Sequence, residues 1–164
     1  MTETDKAYLA GLIDGEGCIT MTAFSSKYMP DTKTKLRGKR STLVRVFIIM
    51  CDGRNIFDWL RNITGSGYTF FRKRPNKHPT WKDSYGIIWH GKDAKEMLIE
   101  IFPYLRLKTR QAQLIIDWVT KSQDLIHNPR WKKGTKGGIA FSPDVLKYRD
   151  SVIDEIRALN RKGQ

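Results

Sequence analysis

At 164 residues the chain is long enough for one domain of ordinary size and too short for two generous ones, and its composition is globular, with 40% hydrophobic and 29% charged residues. No apolar run approaches the ~18 residues that a membrane span needs, and the N-terminal MTETDK lacks the basic-then-apolar layout of a signal peptide. Thirty Lys and Arg against 17 Asp and Glu give a net charge of +13, the electrostatic footprint of a phosphate-rich partner.

An intracellular location is therefore expected, in the cytoplasm or nucleoid of a prokaryote or inside an organelle, with no membrane partner. Two cysteines, Cys18 and Cys51, and three scattered histidines, His78, His90 and His127, supply neither a zinc ribbon nor an H-E-x-x-H pattern.

Taken in order, Thr4 and Asp5 make a plausible helix start, and the helix runs to Gly15–Gly17 through the apolar residues Tyr8, Leu9, Ala10, Leu12 and Ile13. Ala7, Gly11 and Gly15 recur at i, i+4 and i+8, so one face carries almost no side chain. A helical glycine costs about 1 kcal/mol against alanine, and a stripe of them implies that another helix approaches closely. Asp14 and Glu16 sit in the last turn, where the macrodipole disfavours negative charge, so a cation is expected nearby. Glycines on either side of Glu16 let backbone carbonyls turn toward its carboxylate, a hard oxygen set suited to Mg²⁺ or Ca²⁺. The bland alternative is a short glycine-capped helix with solvated acids.

Residues 19–24 alternate, with Ile19, Met21 and Ala23 on one strand face and Thr20, Thr22 and Phe24 on the other. A basic hairpin loop follows, carrying Lys27, Lys33, Lys35, Arg37, Lys39 and Arg40. Leu43 to Met50 is a second strand with Val44, Val46 and Ile48 inward, its register set by Arg45, which a one-residue slip would bury. Asn55 to Ile63 reads as a helix packing through Ile56, Trp59, Leu60 and Ile63, and Gly65 and Gly67 end it. A third strand, Tyr68 to Pro75, turns basic at Arg72 and Arg74. A fourth, Tyr85 to Trp89, places Tyr85, Ile87 and Trp89 on one face. Helices are expected over Gly91–Ile101, Arg106–Lys121, with Leu107 among its packing residues, and Pro143–Asn160, the last capped by Ser142.

Leu9 to Gly17, reading LAGLIDGEG, closely resembles the signature of the LAGLIDADG homing endonucleases. Further likeness lies in Gly65–Tyr68 (GSGY) and Phe102–Ala112 (FPYLRLKTRQA). The resemblance implies an α+β fold, an αββαββα core with a four-stranded antiparallel DNA-binding saddle and additional C-terminal helices. It also implies a homodimer of single-motif subunits, joined through the helix at residues 4–15 by Ala7, Gly11, Asp14 and Gly15. Glu16 is then the metal acid, helped by the Gly15 carbonyl, and Lys108 matches the family lysine beside the attacking water. Arg54 is a candidate for a similar supporting role. The cofactor implied is Mg²⁺, with Ca²⁺ occupying the site without cleavage and Mn²⁺ as an alternative. Ile49, Met50 and Cys51 depart from the Gln and Lys common in the family there.

The reaction implied is site-specific hydrolysis of double-stranded DNA at a long pseudo-palindromic site. In such a complex Thr20, Thr22, Arg45, Arg72 and Arg74 face bases, the loop lysines and arginines grip phosphates, and Phe24 lies on the same face. The rival readings are a non-cleaving relative, such as an RNA-splicing maturase or DNA-binding regulator, and a basic ribosome-associated protein.

Overall fold

Helix α1 (Glu3–Glu16) begins two residues earlier than Thr4 and Asp5 suggest, because Thr2 is the N-cap. The Thr2 hydroxyl accepts from the Asp5 amide at 3.2 Å while the Asp5 carboxylate accepts from the Thr2 amide at 3.0 Å, a reciprocal pair that satisfies two end donors. The chain is a computed structural model that describes residues 1–25, 40–51, 53–73, 82–126 and 142–161. After α1 come β1 (Gly17–Ser25), β2 (Arg40–Met50), α2 (Arg54–Thr64), β3 (Tyr68–Arg72), β4 (Ser84–His90) and α3 (Gly91–Ile101). A single 3-10 turn at Phe102–Tyr104, α4 (Thr109–Ile126) and α5 (Pro143–Arg161) complete it.

The four strands form one antiparallel sheet in the order β1-β2-β4-β3. Gly17 pairs with Ile48, Thr20 with Arg45, and Ile48 in turn with Ile87, which sets the two faces of the sheet. Ile19, Met21, Val44, Val46, Ile48, Ile87 and Trp89 are buried on the helix side, joined by Leu9, Ala10 and Ile13 of α1 and by residues of α2 to α5. The predicted alternation of β1, β2 and β4 therefore holds, Arg45 falling on the face away from the helices. Gly67, at φ 97°, lets the backbone pass the Trp89 indole, 2.8 Å from where a Cβ would stand. Helix α5 lies against β1, where the Asn160 amide donates to the Ile19 carbonyl at 3.1 Å.

Three expectations are corrected. In α2 the buried positions are Phe57 and Leu60, whereas Trp59 is 36% exposed and meets Tyr8 edge to face at 5.6 Å. Helix α4 begins at Thr109, so Arg106, Leu107 and Lys108 precede it, and Leu107 is 76% exposed rather than packed. The third strand ends at Arg72, not Pro75. Among the described residues no helix is long and apolar enough to cross a membrane.

Candidate active site and nucleic-acid face

The C-terminal end of α1 is built around a reciprocal clamp. The Asp14 carboxylate accepts hydrogen bonds from the backbone amides of Arg106 at 2.7 Å and Lys108 at 2.9 Å. In return the Lys108 ammonium donates to the carbonyls of Ile13 at 2.9 Å and Asp14 at 2.6 Å. Lys108 is thus the cation expected at this helix end, and its charge sits where the macrodipole is negative. Its own carbonyl accepts from the Ala112 amide at 3.0 Å, so Lys108 is the residue that immediately precedes α4 and takes its first backbone bond. An acid in the last turn of α1 is tolerated because its carboxylate meets two backbone amides of the loop before α4 and the Lys108 charge lies at the same helix end.

Gly17 closes α1 by donating to the carbonyls of Leu12 and Ile13, and it must be glycine, since a Cβ there would lie 2.7 Å from the Ile13 backbone. The bonds that tie off the helix thus reach the carbonyls of Leu12, Ile13 and Asp14, and the Gly15 carbonyl comes next, beside Glu16. Glu16 is exposed, and its carboxylate has no hydrogen-bond or ion-pair partner among the described residues. No group of three or more His, Cys, Asp or Glu gathers among those residues. One free carboxylate beside a carbonyl is nonetheless a donor set that fits Mg²⁺, which takes one or two protein carboxylates and completes its shell with phosphate oxygens and water.

The glycine stripe lies on the outer side of the same helix. Ala7, Gly11 and Gly15 are exposed, and among the described residues nothing lies within 4 Å of a Cβ placed on Gly11 or Gly15. Asp14 differs from these three, its carboxylate being engaged by its own chain's 105–108 loop. Tyr8, three and seven residues before Gly11 and Gly15 and so on their face, is 49% exposed.

On the sheet surface away from the helices, Thr20, Thr22 and Arg45 lie on neighbouring strands, with Arg72 on β3 at the opposite edge. The Arg45 Nε is buried without a hydrogen-bond partner among the described residues. The phenyl ring of Phe70 covers Gly86, where a Cβ would meet its Cζ at 2.5 Å. Cys18, on the same face, is half-buried; burial pushes its thiol up, while the positive charges of Lys108 and Arg45 pull it down. One thiol senses both cations, which places Lys108 and Arg45 around the same patch at the start of β1. Arg54, at the first turn of α2, is exposed and lines a cavity of about 370 Å³ with Phe57, Asp58, Phe71 and Tyr85. The Gly17–Ile48 pairing brings the chain after Met50 to the sheet end that carries Glu16, so Arg54 is near that end, though beyond the clamp. Lys27, Lys33, Lys35, Arg37, Lys39 and Arg74 lie outside the described residues, as do the side chains of Phe24 and Arg40.

Neither a family model nor a curated protein matches the sequence. Solved structures do match the fold. The homing endonuclease I-CvuI, in complex with the I-CreI target in the presence of Mg with the DNA not cleaved, superposes with a TM-score of 0.67 at 22% identity over 96% of this chain and 82% of that one. I-SmaMI bound to uncleaved DNA in the presence of calcium gives 0.65 at 12% identity, over 96% of this chain and 46% of that one. The LAGLIDADG meganuclease I-AabMI, bound to uncleaved DNA, gives 0.51 at 15% identity over 76% and 39%.

The chain has the LAGLIDADG homing-endonuclease fold. Within this LAGLIDADG fold the signature residues Leu9 to Gly17 span the end of α1 and the start of β1. What sequence reasoning missed is the part Asp14 plays: its partners are 92 and 94 residues away, and no local spacing signals a bond to backbone amides.

Proposed function

We propose that this chain is a site-specific DNA endonuclease of the homing type, which acts as a homodimer and depends on a divalent metal. The observation that carries the reading is the position of Glu16: a carboxylate without a partner among the described residues, at the end of a bare helix face and at the edge of a sheet surface bearing Arg45 and Arg72. The related folds support it, since I-CvuI and I-SmaMI were solved on DNA targets with Mg or calcium.

A single subunit offers one such acid, and cutting both strands takes two. Packing the stripe of Ala7, Gly11 and Gly15 against its own symmetry mate makes an isologous contact and brings two copies of Glu16 to one axis. The exposed Tyr8, Trp59 and Leu107 around α1 supply the apolar rim that such a contact would cover. In this assembly Glu16 and the Gly15 carbonyl hold Mg²⁺, with Ca²⁺ and Mn²⁺ as occupants of the same oxygen set. When bound, the ion supplies Lewis acidity toward water and toward the phosphate oxygens. Lys108 keeps its third ammonium proton for the solvent or phosphate beside Glu16. Thr20, Thr22, Arg45 and Arg72 face the major groove and read base edges, and Arg54 stands at the flank.

The test is cleavage selection on a randomised duplex library with Mg²⁺. Recovery of a long, near-symmetric cut site is the expected result. Tight binding of such a site without cleavage by the wild type in Mg²⁺ would instead favour a non-cleaving relative, such as a maturase or DNA-binding regulator.

A further inference from the structure

We infer that Asp14 is a positioning residue: through the amides of Arg106 and Lys108 it fixes the loop that holds Lys108 at the end of α1, next to Glu16. The inference rests on the nuclease reading and deepens it. Lysine is a poor anchor for itself, because its four-carbon stem is flexible and its ammonium is a compact, strongly hydrated charge. Here the backbone at residue 108 is pinned first. Asp14 grips two amides two residues apart, at 2.7 and 2.9 Å, and the Lys108 ammonium then has only to reach the carbonyls of Ile13 and Asp14, on the same turn of α1.

Among the described residues, other backbone bonds hold the loop only at its ends, at Leu105 and at the Lys108 carbonyl. Leu105 is buried, but Arg106 is exposed and Leu107 is 76% exposed, so the segment between the Phe102–Tyr104 turn and α4 has few apolar contacts. The same helix that carries Glu16 thus sets the place of the lysine, and both groups move as one unit when α1 moves. A carboxylate suits the task better than a neutral acceptor, because each of its oxygens accepts from one amide and charge-assisted bonds are about twice as strong as neutral ones.

The experiment measures single-turnover cleavage, DNA affinity in Ca²⁺ and amide hydrogen exchange for wild type, Asp14→Asn, Asp14→Ala, Lys108→Met and the Asp14→Ala/Lys108→Met double variant. Asp14→Ala is expected to slow cleavage about 100-fold, the scale of a misplaced group, with DNA affinity unchanged. Asp14→Asn, which keeps one acceptor oxygen and the side-chain shape, is expected to fall in between. In the Lys108→Met background the Asp14 change should add less than about threefold, since its effect runs through Lys108. The Arg106 and Lys108 amides should be slow to exchange in wild type, both fast in Asp14→Ala and at most one still slow in Asp14→Asn, a readout that needs no cleavage.

Asp14→Asn cleaving at the wild-type rate, or a full multiplicative loss in the double variant, overturns the inference and leaves the nuclease reading standing. Fast exchange of both amides in wild type does the same. A wild type that binds its selected site and never cuts it overturns both.

Discussion

In the proposed nuclease Glu16 is the side chain on which the chemistry turns, and its exposure makes it a clean target. Replacing it by Gln removes one charge, keeps the shape and touches no partner among the described residues, so the fold should survive. Cleavage should drop by about a thousandfold or more, the weight of several kcal/mol of lost charge stabilisation, while affinity for the selected duplex in Ca²⁺ stays within about threefold. Equal loss of cutting and binding would assign that acid a structural part. Cys18 offers a second measurement. Burial holds its thiol above the ordinary thiol range despite Lys108 and Arg45, so the folded state keeps the proton where an unfolded chain has begun to lose it. Its contribution to stability is therefore complete below the unfolded thiol pKa and fades as pH rises through the folded one. Urea midpoints should decline above about pH 8.5 and decline less in Cys18→Ala, and iodoacetamide should label exposed Cys51 well before Cys18.

Helix α1 gives opposite predictions for the subunit and for the pair. Among the described residues nothing lies within 4 Å of a Cβ on Gly11 or Gly15, so Ala at either position should stabilise an isolated subunit by about 0.5–1 kcal/mol, the ordinary helix gain. The same methyl groups push the proposed partner helix away, so sedimentation should show a weaker dimer, and Gly11→Leu should abolish it. An alanine pair that leaves self-association untouched would remove the stripe from the interface. This helix and the inner strands were the legible part of the sequence, because each buries one face whose period declares itself: Leu9 and Ile13 in α1, Val44, Val46 and Ile48 in β2, and Ile87 and Trp89 in β4. Arg45 set the register of β2 because burying an unpaired charge in the core is costly. The rest was hidden for a reason of range. Trp59 looked like core by its spacing yet lies against Tyr8 at the surface, and the start of α4 looked earlier because nothing near Arg106 discloses that Asp14 claims its amide. Periodicity reports which face is buried, and contacts 90 residues apart leave no such trace.

The whole chain is basic, and among the described residues the helices lie on one side of the sheet with Arg45 and Arg72 on the other. If each subunit of the proposed complex contacts several phosphates, affinity for the cognate duplex should fall by roughly a thousandfold between about 50 and 200 mM salt. A flat dependence would mean that the lysines and arginines do not reach the backbone. The proposed dimer would add a dependence on protein concentration, so double-strand cutting should fall more steeply than dilution once subunits separate, while the Glu16→Gln protein should dilute in the same way in a binding assay. In β1 the residues that hold the body together and those that look outward take strict turns: Ile19 and Met21 inward, Thr20 and Thr22 outward. The outward set lies outside the buried core, so it is freer to change than the inward set. A lineage could acquire a new target by exchanging those side chains one at a time, each intermediate still folding, and the same freedom makes this surface a starting point for laboratory retargeting.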